Sequence, residues 1–236
     1  MDARRGYVPE DDLNFSTASI RVLQKASAHI RYLLNEGYEL IQASTFVGNH
    51  FLLSERQRLA IARSVAADKC LKERRQKRVT KEQLFGETVW IDGFNTIITL
   101  EVMKCQSILF ECMDGTIRDL AALRGTYRII PETAEAIRAM FNVLQDVGIK
   151  EAKILLDQPV SNSGRLKTLI AEIVEEYFCE CDIQIIRDVD RTLYGKENVI
   201  TSDSVILDHC VSWFNLTAEC LAGTNAAVLR VWKELF

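Results

Sequence analysis

Apolar residues recur at helical spacing through the first third of the chain, at Ile20, Leu23, Ala26, Ile30, Leu33 and Leu34. The spacing predicts a helix from Asn14 to about Asn35, capped by Ser16 or Thr17 and stopped by Gly37. A short helix around Glu39–Val47 follows and ends near Gly48-Asn49. The third opens on a capping box, Ser54 at the N-cap with Gln57 three residues on, and carries Leu59, Ile61, Ala62, Val65 and Ala66 on its apolar face. Residues 14–68 are therefore expected to form a small all-helical unit, preceded by a frayed arm over residues 1–13.

After Thr88 the period changes. Short apolar runs end at Asp92, Asp157, Asp188 and Asp203, and helical stretches separate them at Thr96–Lys104, Pro131–Gly148 and Arg165–Tyr177. Strands alternating with helices of this length predict parallel βαβ units. The fold class expected is α/β, a doubly wound parallel sheet preceded by a small all-helical N-terminal domain. The division is 1–80, a helical domain with a basic linker, and 81–236, the α/β domain. Between the first two runs, Ser107–Cys112 reads as a strand and Asp114-Gly115 as a turn. Asp190–Glu197 reads as a loop and Val199–Asp203 as the last parallel strand. The tail reads as two helices and a final short strand within Ala226–Trp232. Trp213, Phe214 and Trp232 are taken as core, with an interface as the alternative, and a homodimer is admitted as a partner.

Composition narrows the class. The 236 residues are 48% hydrophobic and 26% charged, with a net charge of −4, which argues against nucleic-acid binding by the whole surface but not by a local basic patch. No run reaches the roughly 18 apolar residues of a membrane span, and Met1 to Asp12 is too charged for a signal peptide, so no membrane partner is expected. Seven cysteines without framework spacing suit a reducing cytoplasm as small buried apolar residues, and a structural zinc site is not expected. Arg56, Arg58 and Arg63 on the third helix admit a helix-turn-helix reading, though arginines populate any solvated helix face. Lys69–Arg78 holds six Lys/Arg and one Glu, either a solvated linker or a phosphate-binding stretch.

The four strand-end carboxylates carry the chemistry. On adjacent parallel strands, Asp92, Asp157, Asp188 and Asp203 converge on one rim, where like charges repel unless a hard cation sits among them. Oxygen ligands select Mg²⁺ or Mn²⁺. Asp190 lies two residues past Asp188, so either serves as the ligand. Asn95 is placed to orient a metal-bound water or Asp92. Ser161, Asn162 and Ser163 precede a helix N-terminus and offer donors to a phosphate. Arg118 is a second phosphate contact or a structural ion pair.

The run Val89-Trp90-Ile91-Asp92-Gly93-Phe94-Asn95 resembles the opening motif of the NYN branch of the PIN-like nuclease superfamily. Thr201-Ser202-Asp203-Ser204, followed by Asp208, resembles that superfamily's last motif, with the Asp188–Asp190 pair between them. The likeness covers roughly residues 88–210. It implies a doubly wound sheet and metal-dependent cleavage of RNA, with Asp92, Asn95, Asp188, Asp190 and Asp203 as catalytic residues. The superfamily's second acid has no clear counterpart; Glu101 and Glu111 are the candidates. The whole chain also resembles a prokaryotic two-domain family of unknown function, helical then PIN-like. Gly37-Tyr38, Leu53–Arg58, Asp114-Gly115, Arg118-Asp119 and Pro159–Gly164 carry that likeness.

The expected function is a cytoplasmic, Mg²⁺- or Mn²⁺-dependent ribonuclease acting on single-stranded or structured RNA. The alternative is a non-catalytic nucleic-acid- or protein-binding module on the same fold, its acids structural. A phosphotransferase using Asp92 as nucleophile is disfavoured, because the second Asp two residues on is absent.

Overall fold

The computed structural model describes residues 4–121, 125–177 and 179–233. Helices α1 (Asp11–Asn14), α2 (Thr17–Asn35), α3 (Leu40–His50), α4 (Glu55–Ser64) and α5 (Asp68–Lys77) form the N-terminal unit. Ser16 caps α2 by accepting from Ser19 N, and the Ser54/Gln57 capping box is closed in both directions. The expected frayed arm is ordered from Arg4 onward; its first three residues lie outside the described set. Arg5 pairs with buried Glu101, and Arg56 grips Asp11 through two bonds of 2.9 Å. A charged segment that looks solvated in sequence is held because Arg4, Arg5 and Asp11 meet partners from elsewhere in the chain.

After the first strand, β1 (Thr88–Asp92), come α6 (Gly93–Lys104), β2 (Leu109–Glu111), β3 (Ile117–Arg118) and α7 (Glu132–Val147). Next are β4 (Glu151–Asp157), α8 (Ser163–Val174), β5 (Glu180–Ile186) and α9 (Val189–Leu193). The chain then passes through β6 (Val199–Ile200), α10 (Ser204–His209), β7 (Trp213–Phe214), α11 (Leu216–Leu221) and β8 (Val228–Leu229). Helix α7 ends on Gly148 in the left-handed region (φ 73°), which a glycine adopts without Cβ strain. The expected loop over 190–197 contains α9, capped by Asp188. Val199–Asp203 is not the last parallel strand. β7 is a further one, and two residues are too short to carry a period-two signal.

The main sheet is parallel with order β5-β4-β1-β6-β7, so the winding direction reverses at β1. Alternate residues feed two cores, as the two-residue strand period requires. Val89, Ile91, Ile154, Leu156, Ile200 and Phe214 pack beneath α6, α7, α8 and α11. Leu155, Val199 and Trp213 face Val189 and Leu193 of α9 and Ile206 and Leu207 of α10. The predicted strands at 107–112 and 226–232 exist in shortened form, but in a separate small sheet of order β3-β2-β8. Its Leu109 points into the large core, while Phe110 points into the core of the helical unit and meets Phe15 edge-on at 5.0 Å. The N-terminal helices therefore complete their core with Phe110, Met113, Leu120 and Val231 from the α/β part of the chain.

The basic run is the other fastener. Arg74 of α5 is buried, bonded to Asp114 Oδ2 (2.8 Å) and bidentate to Asp208 (2.7 and 2.8 Å). Lys77 caps the carbonyls of Leu207 and Asp208, and Val79 N bonds to Trp213 O on the edge strand. Half of the expected linker is thus a packed strut; Lys69, Lys72 and Arg75 remain exposed. Among the described residues no helix is long and apolar enough to cross a membrane. Removing Arg74 leaves Asp114 buried with one cation fewer, so Arg74→Ala is expected to cost about 3–5 kcal/mol in urea unfolding. Exposed Lys72→Ala on the same helix should stay within about 0.5 kcal/mol. Equal unfolding midpoints for the two variants would refute the fastener role.

Candidate carboxylate site and its setting

The rim is assembled by strand register. Asp92 pairs with Leu155 of β4, and Ile91 with Ile200 of β6, so Thr201 falls beside the Asp92 carboxylate. Thr201 Oγ1 donates to Asp92 Oδ2 at 2.9 Å. Helix α6 starts on the very next residue. A Cβ on Gly93 would lie 2.8 Å from the Leu155 carbonyl oxygen, so only glycine lets the helix start this close to β4. Asn95, in that first turn, accepts from Ser202 N (2.8 Å) and Ser202 Oγ (2.9 Å) through Oδ1, locking the β6–α10 junction to α6. Its role is that of a clamp, with its amide nitrogen left over among the described residues.

Asp92 is 5% exposed, and its carboxyl is pushed up to about 8. Burial is the main cause, relieved by Thr201 and reinforced by Asp203, Asp157 and Asp190. Burial also raises Asp157, with Asp190 and Asp188 adding to it, and raises Asp190, with Asp203 and Asp188 adding to it. Acids from the ends of β1 and β4, from α9 and from the α10 cap thus feel one another across the sheet switch point. Asp203 caps α10 through Oδ1, from Val205 N (2.7 Å) and Ile206 N (3.3 Å), leaving Oδ2 unbonded among the described residues. Of the adjacent pair, Asp190 is the one coupled to Asp92 and Asp203; Asp188 caps α9 and lies 3.5 Å from Arg191. Among the described residues no group of three or more His, Cys, Asp or Glu side chains is placed to hold a metal ion. Asp92, Asp157, Asp188 and Asp203 make a rim rather than a closed coordination sphere.

Several expected ligand contacts are spent on the protein itself. Arg118 is buried, and its Nε bonds to Ser202 O (2.6 Å), Nη1 to Arg63 O and Nη2 to Asp114 Oδ2 (2.7 Å), so all three of its nitrogens are committed to the protein and it is the structural ion pair. Ser161 Oγ accepts from Tyr127 N and donates to Tyr127 O, and Asn162 Nδ2 donates to the same carbonyl at 2.7 Å. That loop is a clasp on residue 127; Ser163 simply begins α8. Arg56 and Arg58 are turned onto Asp11, Asn49 and backbone carbonyls, which removes them from a helix-turn-helix reading surface. Asp208 belongs to Arg74. Glu101 is held by Arg5, Tyr127 and Thr133, and Glu111 by Arg230, so neither joins the rim.

The acid that does join is Asp119. It is 7% exposed and accepts from Thr99 Oγ1 of α6 (2.8 Å) and Ala121 N (2.7 Å). With Asn95, Arg118, Ser202, Asp203, Ser204 and Arg63 it lines a cavity of about 150 Å³ between the rim and α4. In sequence it sits at the end of a two-residue strand, after a turn, with only its neighbour Arg118 to mark it.

A family model described as a domain of unknown function, DUF5616, matches residues 81–219. The chain belongs to the DUF5616 family. A second model, described as a protein of unknown function, DUF434, matches residues 22–77. The uncharacterized protein MJ0935 of Methanocaldococcus jannaschii is 36% identical over 185 residues, which covers 78% of this chain and 88% of that one. No solved structure matches. All the rim acids lie within the DUF5616 match, and Arg63 on the cavity's opposite wall lies within the DUF434 match.

The proton on Asp92 has a stability consequence. The folded state holds it up to about pH 8 while the unfolded carboxyl releases it near 3.9, so the folded state binds more protons in between. Stability from this group is complete below about pH 4 and declines as pH rises toward 8. Asp92→Asn, neutral at every pH, should therefore gain on wild type progressively between pH 5 and 8 in urea unfolding series. A pH-independent difference between the two proteins would contradict a proton held on Asp92.

Proposed function

We propose that this DUF5616 protein is a divalent-metal-dependent ribonuclease of PIN/NYN type, built on a doubly wound sheet. The observation that carries the reading is the placement of acids from separate segments, Asp92, Asp157, Asp190 and Asp203, at the carboxyl end of the sheet, where the strand order reverses. Ligand sites in open α/β sheets form at such points.

The donor set fits Mg²⁺ or Mn²⁺. It consists of oxygens only, and Asp92 and Asp203 each have an oxygen without a protein partner among the described residues. Mg²⁺ keeps several waters and needs only one or two carboxylates plus substrate phosphate, so the lack of a ready three-ligand group suits it. Asp92 and Asp203 would hold the ion, and Asp190, Asp157 and Asp119 would act through its waters. When bound, the ion neutralises phosphodiester charge and lowers the pKa of an attacking water. Thr201 orients Asp92, and Asn95 holds the loop that carries Asp203.

The same lack of a ready three-ligand group supports a second reading, a non-catalytic nucleic-acid- or protein-binding module whose acids are structural. One experiment separates the two. Wild type and the Asp92→Asn/Asp203→Asn double variant are titrated with Mn²⁺, following thermal stability and cutting of an end-labelled single-stranded RNA. The nuclease reading expects Mn²⁺ to raise the wild-type melting temperature and to support cutting that drops to background in the double variant. If Mn²⁺ neither stabilises wild type nor supports cutting, the nuclease reading is wrong and the binding-module reading replaces it.

A further inference from the structure

Two arginines line the cavity beside the rim, Arg63 and Arg118, and they differ in how many of their nitrogens are committed. Arg118 commits Nε, Nη1 and Nη2 to Ser202 O, Arg63 O and Asp114. Arg63 uses Nη1 alone, on the Asp119 carbonyl, and lies a loose 3.5 Å from Asp119 Oδ1 with its side chain a third exposed. Asp119 does not depend on that contact, because Thr99 and Ala121 already bond its two oxygens. The root of Arg63 is fixed, since its backbone carbonyl and that of Ser202 are both held by the one Arg118 guanidinium. A rigid root, a fork with free donors and a cavity of about 150 Å³ facing Asn95 and Asp203 describe a positioned anion contact. At roughly 30 Å³ per water the space holds about five waters, room for a phosphate group.

We propose that Arg63, on α4 of the N-terminal unit, positions a substrate phosphate over the carboxylate rim, so that the site is shared by both halves of the chain. The proposal rests on the phosphodiester reading of the rim and adds the residue that reads the phosphate. It also moves the phosphate contact away from Arg118, from the Ser161–Ser163 loop and from the basic helix α5. Arg63 here is a positioning residue. Its guanidinium exchanges the weak Asp119 contact for phosphate oxygens, while the rim acids and their cation face the same group from the other side.

The test is binding of a fluorescein-labelled oligouridylate by wild type, Arg63→Gln and Arg63→Lys, read as anisotropy across a salt series with Ca²⁺ as the divalent ion. Arg63→Gln should bind about tenfold more weakly, the loss of one charge-assisted contact. The slope of log affinity against log salt should fall by about 0.7, the release of one counterion from a single strand. Arg63→Lys keeps the charge but not the fork, so it should keep the slope and lose part of the affinity. A merely structural role for Arg63 would leave the slope of both variants at the wild-type value with affinity tracking thermal stability, and that overturns the proposal. So does a wild type that fails to bind. Mn²⁺-dependent cutting is measured on the same proteins. Absent cutting with the Arg63 slope change intact counts against the nuclease reading alone; cutting that is indifferent to Arg63→Gln and Arg63→Lys counts against the Arg63 role alone.

Discussion

One buried carboxylate, Asp114, holds the molecule's halves in register. It accepts from Arg74 of α5, Arg118 of β3, and the backbone and hydroxyl of Thr116. Burial alone would raise its pKa, but Arg118, Thr116 and Arg74 together keep it below the usual carboxylate range. Arg118 then passes the constraint to the carbonyls of Ser202, at the rim, and Arg63, on α4. Buried ion pairs rarely add net stability over apolar packing, and their better-attested use is to specify one arrangement. Here the arrangement specified is the distance between the helical unit and the carboxylate end of the sheet.

The rim shows the opposite electrostatic economy. Asp114 is surrounded by cations, whereas Asp92 is buried among other acids with a single hydroxyl partner. A carboxyl so placed keeps its proton near neutral pH, a standing cost that an apolar residue would avoid. Strong perturbation by burial and like charge at a sheet switch point is the pattern of a functional site. The family match reaches both walls of the adjoining cavity, one in each matched segment.

Much of this was legible in the residues. The helix α2 boundaries, the Ser54 capping box and the parallel strands ending at Asp92 and Asp157 all follow local periodicity and caps. Less legible were the roles of cations. Arg118 and the arginines of Lys69–Arg78 look alike in sequence, yet Arg118 and Arg74 are buried in pairs while Arg75 is exposed. The partners of Arg74 lie 40 and 134 residues away, and Arg118 ties nearby Asp114 to carbonyls 55 and 84 residues away, so no short window on the chain contains either network. Asp119 is unmarked in sequence for the same reason, because Thr99 and Arg63 reach it from different elements.

The sequence by itself determined the helical and strand periods, the parallel topology and the set of acids that end the strands. These depend on residues close together, where hydrophobic spacing, capping and glycine geometry act locally. The tertiary structure alone decided which acids share a rim, which cations are consumed, and that a helix from the first half walls the site. Those outcomes depend on register between β1, β4 and β6 and on the Asp114 network, and a one-residue change of register would turn each side chain to the other face.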